Sequence, residues 1–379
     1  MSKIDEILQN AVAASDVPFV VAMAANSSEI VYSGAFGHAA EGRAAQLDTA
    51  FRVFSMTKAV GSVAAMILID RGALSMDTPV ADILPEWNDL QVLDGWDGDT
   101  PKLRAPKTQA TVRNLATHTS GLEYEFWNAD MAKYLEVTEA TPILSGLKAG
   151  LKYPLMSDPG TRWGYGPSID WLGQIVEQVD GRRIDAFCHD EIFGPLGMAS
   201  TAFEPDALAD RLAGVSIRGE DGKFGPFEIA PPPTPEVYGM GHALYSTAPD
   251  YLTFLRMVLN KGELNGARVL SEAAVAEMTA DQMQGLTFQR MVSVAPPLTA
   301  DVALPAGTTH SFAFVRSEAD VPGARHKGSQ SWAGVCNTHY WIDPAADLAA
   351  VIMTQSLPFV EEPLMRTYQA YEEGLYAAA

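Results

Sequence analysis

The sequence has few cysteines and no long apolar run. Its 379 residues include only Cys188 and Cys336, which supply neither a disulfide framework nor the spacing of a metal site. The longest apolar stretch, near residues 60–69, contains Gly61 and Ser62 and is too short to span a bilayer. We therefore expect two buried free thiols and no membrane association.

Basic residues are also scarce, with 26 Lys and Arg against 47 Asp and Glu and a net charge of −21. Such a chain repels nucleic-acid phosphates and anionic lipid surfaces, so neither is an expected partner. The N-terminal residues lack the basic start, apolar stretch and cleavage site of a signal peptide. We expect a cytoplasmic protein that acts on a small molecule, and the sequence leaves its oligomeric state open.

Strand-like segments lie at both ends of the chain, with helical segments between them. The patterns predict helices over 2–15, 130–139, 169–179 and 362–376, and strands over 19–25, 30–35, 311–316, 335–342 and 349–354. The two early strands are apolar on both faces, so we expect helices to cover them. The predicted organisation is a sheet domain from residues 1–76 and 218–379, with a helical insertion domain from residues 77–217.

A Ser-x-x-Lys motif, Ser55 to Lys58, begins an apolar helix that we predict to end at Gly72. Residues three apart share a helix face, so Lys58 can reach the Ser55 hydroxyl. A serine hydroxyl needs a neighbouring base, and burial at the positive end of a helix disfavours a charged lysine. A helix cap followed by a solvated lysine fits the same spacing, so the motif alone leaves both readings open.

Further motifs follow in order along the chain. They are Leu115-Ala116-Thr117-His118-Thr119-Ser120-Gly121-Leu122, Pro159-Gly160-Thr161 before Tyr165, Phe193-Gly194-Pro195-Leu196-Gly197-Met198, and Trp332-Ala333-Gly334. With Ser-Met-Thr-Lys, this set resembles the penicillin-recognising serine enzymes, the β-lactamases and penicillin-binding proteins. The resemblance implies an α/β (α+β) fold of the β-lactamase type. Its central antiparallel sheet would be built from both termini and flanked by helices, with an inserted helical domain.

Two departures indicate the subfamily. The middle motif reads Tyr165-Gly166-Pro167 and lacks the asparagine of class C β-lactamases, and Trp332 replaces the lysine of Lys-Thr-Gly. An indole cannot hold a carboxylate by charge, but it forms an apolar wall. We interpret Lys327, which lies nearby, as a surface residue. In these features the chain is similar to the family VIII carboxylesterases, which hydrolyse esters on the β-lactamase fold.

This resemblance implies a role for each site residue. Ser55 would be the nucleophile, and Lys58 and Tyr165 would accept its proton as a coupled pair, with neither assigned as the formal base. The backbone N–H groups of Ser55 and Val335 would form the oxyanion hole. The residues expected to contact the ester substrate are Trp332, Gly334, Tyr124 and Trp127.

Three alternatives stay open at this point: a β-lactamase or DD-peptidase, an acyltransferase or amidase, and a non-catalytic module that senses ligands. We interpret His118 as structural, because no Gly-x-Ser-x-Gly elbow accompanies it. No His-Glu-x-x-His pattern and no glycine-rich phosphate loop is present, so neither a metal nor a cofactor is expected.

Overall fold

The computed structural model describes residues 2–378. Its α-helices are α1 (Lys3–Ala13), α2 (Thr57–Asp70), α3 (Val80–Ile83), α4 (Val112–Ala116), α5 (Ala129–Thr138), α6 (Ser168–Asp180), α7 (Ile184–Cys188), α8 (Gly194–Leu196), α9 (Ala248–Leu259), α10 (Glu272–Thr279) and α11 (Glu362–Tyr376). Short 3₁₀ turns lie at Phe54–Met56, Pro85–Asp89, Ile143–Ser145, Lys148–Leu151 and Asp206–Arg211, and a π turn lies at His189–Phe193.

The strands are short apart from those of the main sheet. They are β1 (Phe19–Ala25), β2 (Ile30–Ala40), β3 (Arg43–Ala44), β4 (Ala50–Arg52), β5 (Val92–Asp97), β6 (Thr100–Arg104), β7 (Val215–Arg218), β8 (Phe224–Phe227), β9 (Tyr245–Thr247), β10 (Glu263–Leu264), β11 (Ala267–Arg268), β12 (Thr309–His310), β13 (Val315–Arg316), β14 (Gln330–Gly334), β15 (Thr338–Asp343), β16 (Leu348–Met353) and β17 (Ser356–Leu357).

One eight-stranded antiparallel sheet joins the two ends of the chain. Its order is β12-β13-β14-β15-β16-β1-β2-β3, so β1 from the N-terminal part pairs with β16 from the C-terminal part. The register places Val21 opposite Met353. The predicted β-lactamase-like architecture, with a central sheet built from both termini, is confirmed.

Helices cover both faces of the centre of this sheet. Side chains alternate along β1, so Val20 packs with α1 and α11 on one face, and Val21 packs with α2 and α9 on the other. All seven residues of β1 and all six of β16 are buried. The apolar runs predicted to be covered strands therefore form the middle of the sheet, where burial on both faces demands such sequences.

Three of the element predictions need correction. The strand β2 is not covered on both faces, because it lies near the sheet edge and leaves Ile30 and Val31 about half exposed. The predicted strand over 311–316 is instead a hairpin whose turn contains Ser311 to Phe314, held by the Ser311 hydroxyl. Residues 335–337 lie in the turn before β15 rather than in the strand.

The segment between residues 77 and 217 is mostly helical, and its buried residues pack into the same core as α2 and the sheet. It contains α3 to α8 and one small hairpin, β5 with β6. The proposed domain boundaries stay a prediction, and the one after residue 217 falls within β7 (Val215–Arg218). Both cysteines are free and buried, as expected. Within residues 2–378 the structure contains no helix long and apolar enough to cross a membrane.

Candidate active site

Ser55 lies in a tight turn that leads into the buried helix α2. The preceding residue, Phe54, has a φ of 40°, a left-handed conformation that is unfavourable for a phenylalanine and is held by its buried surroundings. The 3₁₀ turn Phe54–Met56 then continues directly into α2. The helix ends at Asp70, just before Gly72, as the sequence predicts.

The amine nitrogen of Lys58 is the centre of the site. Its side chain is buried, and its Nζ lies 3.1 Å from Ser55 Oγ, 3.2 Å from the Tyr124 hydroxyl and 2.8 Å from the Gly241 carbonyl oxygen. It also lies 4.8 Å from the centre of the Tyr165 ring, within the range of a cation–π contact. The structure thus brings Ser55 and Lys58 into hydrogen-bonding contact.

Gly241 connects this lysine to a buried carboxylate. Its N–H donates to Asp170 Oδ1 at 3.1 Å while its carbonyl accepts from Lys58. Asp170 is fully buried, and its Oδ1 lies 3.4 Å from Nδ1 of His242, which lines the pocket. A Cβ atom on Gly241 would lie 2.4 Å from Asp170 Oδ2, so this close approach requires glycine.

The hydroxyl of Tyr165 is held by Trp332 rather than by Lys58. The indole Nε1 donates to it at 3.1 Å, and the two rings meet edge to face with centroids 4.9 Å apart. The His118 ring contacts Tyr165 from another side at 5.0 Å. Burial, together with nearby His310 and Lys58, holds the pKa of His118 well below its ordinary value. His118 is therefore an uncharged packing partner of Tyr165.

The end of β14 lies against the turn that carries Ser55. A Cβ atom on Gly334 would lie 2.2 Å from the carbonyl oxygen of Val53, so only glycine allows this approach. Val335, the next residue, lines the same pocket as Ser55. This contact places the Val335 backbone near Ser55, and the resemblance implies that its N–H is the second oxyanion donor, a role that stays a prediction.

The pocket above Ser55 is small and apolar. Its volume is about 50 Å³, and besides Ser55 its walls include Tyr124, Trp127, Tyr165 and Leu298. Burial and the nearby Asp170 raise the pKa of Tyr124 well above its ordinary value, so its hydroxyl stays protonated at neutral pH. Trp332 does not line this pocket itself. It contacts the pocket residue Tyr165 through the hydrogen bond to its hydroxyl.

Two features of the site are not found by sequence reasoning. One is the contact of Lys58 with the Tyr124 hydroxyl, since Tyr124 is predicted only to contact substrate. The other is the group of Asp170, Gly241 and His242, whose only sequence signal is the Gly-Met-Gly-His run before an apolar segment. Lys327 has a side chain that is 62% exposed, in agreement with the interpretation as a surface residue. Among residues 2–378 no cluster of His, Cys, Asp and Glu suited to a metal ion is found.

Comparison with known proteins gives matches over nearly the whole chain. The beta-lactamase family profile matches residues 4–374. The acyltransferase calJ of Penicillium decumbens is 29% identical over 345 residues, which cover 87% of this chain and 81% of that protein. The lovastatin esterase of Penicillium rubens is 29% identical over 350 residues, covering 87% and 86%. A structure of a simvastatin synthase mutant from Aspergillus terreus aligns with a TM-score of 0.87 and 25% identity, covering 99% of this chain and 96% of that one.

Proposed function

This chain belongs to the beta-lactamase family, and on that premise we propose that it is a serine carboxylesterase acting on small carboxylic esters. Its relatives with assigned roles are enzymes that transfer acyl groups to water or to other acceptors. The observation that carries the proposal is the contact of 3.1 Å between Ser55 Oγ and the buried Lys58 Nζ, at the floor of an apolar pocket. Ser55 is the proposed nucleophile, Lys58 belongs with Tyr165 to the coupled pair that accepts its proton, and the pocket determines which substrates fit.

In the first half of the reaction, Ser55 Oγ forms a bond to the ester carbonyl carbon. Its proton passes to the coupled pair of Lys58 and Tyr165. The developing oxyanion accepts hydrogen bonds from the backbone N–H groups of Ser55 and Val335. The bond to the alcohol oxygen then breaks, and that oxygen takes the proton from Tyr165, which leaves an acyl group on Ser55.

In the second half, a water molecule attacks the acyl carbon. The same pair accepts a proton from the water, and the bond from the acyl carbon to Ser55 Oγ breaks. The proton returns to Ser55, and the carboxylic acid product leaves and releases its own proton to the solvent. No other co-reactant is needed, since water supplies the oxygen.

The walls of the pocket support an ester rather than a β-lactam substrate. The described residues that line it include neither Lys nor Arg, so apart from Lys58, which contacts Ser55, the pocket offers no fixed cation for the carboxylate of a penicillin. Trp332 stands at the position of the lysine in β-lactamases, and although it does not line this pocket, it supplies no cation beside it. A short acyl group or an aryl ester fits such walls. The similarity to an esterase at 29% identity supports the same substrate class.

Acyl transfer to an alcohol is the second candidate. It is favoured by the acyltransferase of Penicillium decumbens, at 29% identity, and by the likeness to simvastatin synthase, at 25%. The chemistry differs only in the second half, where an alcohol replaces water. Adding a primary alcohol to the assay distinguishes hydrolysis from acyl transfer. If more of the new ester than of the free acid is formed, acyl transfer to the alcohol is favoured.

The test of the function compares wild type with Ser55→Ala on p-nitrophenyl acetate and butyrate, with a chromogenic cephalosporin in parallel. Ser62→Ala is the matched control, because Ser62 lies buried on the same helix with no hydrogen-bond partner among the described residues. Ester turnover that is lost in Ser55→Ala and kept in Ser62→Ala supports the proposal. Full activity of Ser55→Ala would show that Ser55 is not the nucleophile. Cleavage of the cephalosporin alone would show that the substrate is not a carboxylic ester. Failure of a fluorophosphonate probe to label Ser55 would favour the ligand-sensing alternative.

A further inference from the structure

A cavity of about 390 Å³ lies between the main sheet and α11. Ser331 and Ala333 of β14 line it together with His339 of β15, and Met365 lines it from the helix. Its volume is within the range of about 300–1,000 Å³ that is usual for small-molecule sites. Since an apolar cavity of about 150 Å³ already holds benzene, this one has room for a ligand larger than a single ring.

Side-chain alternation along β14 separates this cavity from the catalytic site. Ser331 and Ala333 point to the sheet face that α11 covers, where the register pairs Ala333 with His339. Trp332, between them, also borders the cavity, but its indole Nε1 reaches the opposite face and donates to Tyr165. Among the described residues, none lines both the cavity and the pocket of Ser55. The cavity is therefore a separate space and not an extension of the pocket.

One part of the cavity wall is polar but has no net charge. Arg325 Nε pairs with Glu372 Oε1 at 2.6 Å, and both side chains are about nine-tenths buried. The guanidinium also donates to the hydroxyl of Tyr368, which lines the cavity as well. Because the two buried charges compensate each other, this wall offers hydrogen-bonding groups without attracting an ion of either sign.

His339 lines the same cavity and has an unused polar group. Burial, together with the nearby Arg325, lowers the pKa of His339 to about 3, so its imidazole is neutral at physiological pH. Its Nε2 is buried and has no hydrogen-bond partner among residues 2–378. A buried polar atom without a partner costs about 1–3 kcal/mol. A hydroxyl group can both donate and accept, so it suits this imidazole in either tautomer.

The remaining walls of the cavity are mainly apolar. They include Val302, Leu304, Val315, Val321 and Phe359. Asp301 also lines the cavity, but it is exposed and pairs with Arg290 at 2.7 Å. Such walls favour a ligand that is uncharged and mostly hydrocarbon, because an unpaired charge would lose its hydration there.

We propose that this cavity is a second ligand site, separate from the catalytic pocket, and that it takes an uncharged, mainly apolar molecule with one hydroxyl group. The apolar walls hold the carbon skeleton, and His339 forms a hydrogen bond with the hydroxyl. Since β14 stands between the cavity and Ser55, the bound molecule is not placed to take part in acyl transfer. The site is thus independent of the esterase function proposed above.

The experiment measures the binding of 2-naphthol and of 2-methylnaphthalene, which has the same shape but no hydroxyl, by fluorescence titration. Met365→Trp fills the cavity from α11, and Gln369→Trp is the matched control, because Gln369 is exposed on the same helix and does not line the cavity. We expect Met365→Trp to raise the Kd of 2-naphthol by about tenfold or more, and Gln369→Trp to keep the wild-type Kd. His339→Phe keeps an aromatic ring, and it should weaken 2-naphthol binding about fivefold relative to 2-methylnaphthalene, the effect of one lost hydrogen bond.

Blocking Ser55 with diethyl p-nitrophenyl phosphate distinguishes the two spaces. Binding of 2-naphthol that persists after the block and is weakened by Met365→Trp supports the proposal. Binding that the block abolishes would place the ligand in the Ser55 pocket and overturn it. No binding to wild type, or an unchanged Kd in Met365→Trp, would overturn it too. An equal loss of both ligands in His339→Phe would show that the hydroxyl assignment is wrong. If the phosphate does not label Ser55, the proposed nucleophile fails, and Met365→Trp still decides the cavity.

Discussion

The indole Nε1 of Trp332 donates a hydrogen bond of 3.1 Å to the hydroxyl oxygen of Tyr165. An indole N–H can only donate, so the phenol oxygen is the acceptor. This hydrogen bond and the edge-to-face contact of the two rings fix the position of the Tyr165 hydroxyl. Trp332, which stands where the family has a lysine, thus orients the group that takes part in the proposed proton transfer.

We predict that Trp332→Phe lowers kcat/KM for p-nitrophenyl acetate by about 10-fold, because the hydrogen bond that orients Tyr165 is lost and such a bond contributes about 0.5–1.5 kcal/mol. Phenylalanine keeps an aromatic wall but cannot donate to Tyr165. Trp163→Phe is the matched control, because this indole lies nearly parallel to the Tyr165 ring at 6.3 Å and its Nε1 has no partner among the described residues. Equal losses in the two variants would assign the effect to packing alone.

Tyr124 is predicted to position Lys58. Its hydroxyl lies 3.2 Å from Lys58 Nζ, so Tyr124→Phe removes one of the polar contacts that fix the amine beside Ser55. We expect kcat to fall by about tenfold, the cost of a typical hydrogen bond of about 1 kcal/mol or slightly more, with a smaller change in KM. Tyr153→Phe serves as the control, because this buried hydroxyl accepts from the Ile143 N–H instead. Steady-state kinetics on one short ester measures both, and an unchanged kcat in Tyr124→Phe would contradict the role.

Gly241→Ala is expected to damage both stability and activity. The added methyl group would lie 2.4 Å from Asp170 Oδ2 and 3.0 Å from the Tyr124 hydroxyl, so the segment that supplies a carbonyl to Lys58 has to move. Overpacking of this kind costs about 1–3 kcal/mol of unfolding free energy. Gly225→Ala is the control, since a Cβ atom there meets nothing within 4 Å. Urea unfolding and ester hydrolysis should show losses in Gly241→Ala and near wild-type values in Gly225→Ala.

Acid should destabilise the protein partly through His310. Burial lowers its pKa to about 4, against about 6.5 for an exposed histidine, so the unfolded chain takes up this proton first as the pH falls. The contribution to stability is complete above pH 6.5 and is lost between about pH 6.5 and 4. The free energy of unfolding of the wild type should decrease between pH 7 and 5. We expect this decrease to be about 2 kcal/mol smaller in His310→Gln. His38 is exposed, and His38→Gln should show the same change of unfolding free energy with pH as the wild type. The same change in all three proteins would contradict the prediction.

The sequence predicts the centre of the fold and the contact of Ser55 with Lys58 because both depend on local patterns. Strands such as β1 and β16 are apolar on both faces, and α11 carries its apolar residues on one side, so their periodicity indicates burial directly. Ser55 and Lys58 are three residues apart on a helix, so their contact follows from helical geometry. The sheet edge is harder to predict from sequence. The apolar start of β2 resembles a strand covered on both faces, and its own residues do not indicate that Ile30 is exposed.

The rest of the site depends on contacts between distant parts of the chain. The Lys58 amine meets the Tyr124 hydroxyl and the Gly241 carbonyl only after three separate segments have packed together. The need for glycine at Gly334 likewise arises from the approach of Val53, which no neighbouring residue specifies. A cavity of about 390 Å³ is lined by β14, β15, α11 and the loop of residues 301–308, and no single pattern encodes a space between four elements.

The pairing of β1 with β16 at the middle of the main sheet also governs how the protein can be made. A ribosome releases β1 and Ser55 well before the partner strand of β1 and the backbone of Val335, which lie far along the chain. Until then β1 exposes apolar faces and unpaired backbone groups, which makes a nascent or shortened chain prone to aggregate. Closure of a sheet across such a long stretch of sequence is also slow. Chaperone demand during expression, rather than the stability of the finished fold, is therefore expected to limit the yield of active enzyme.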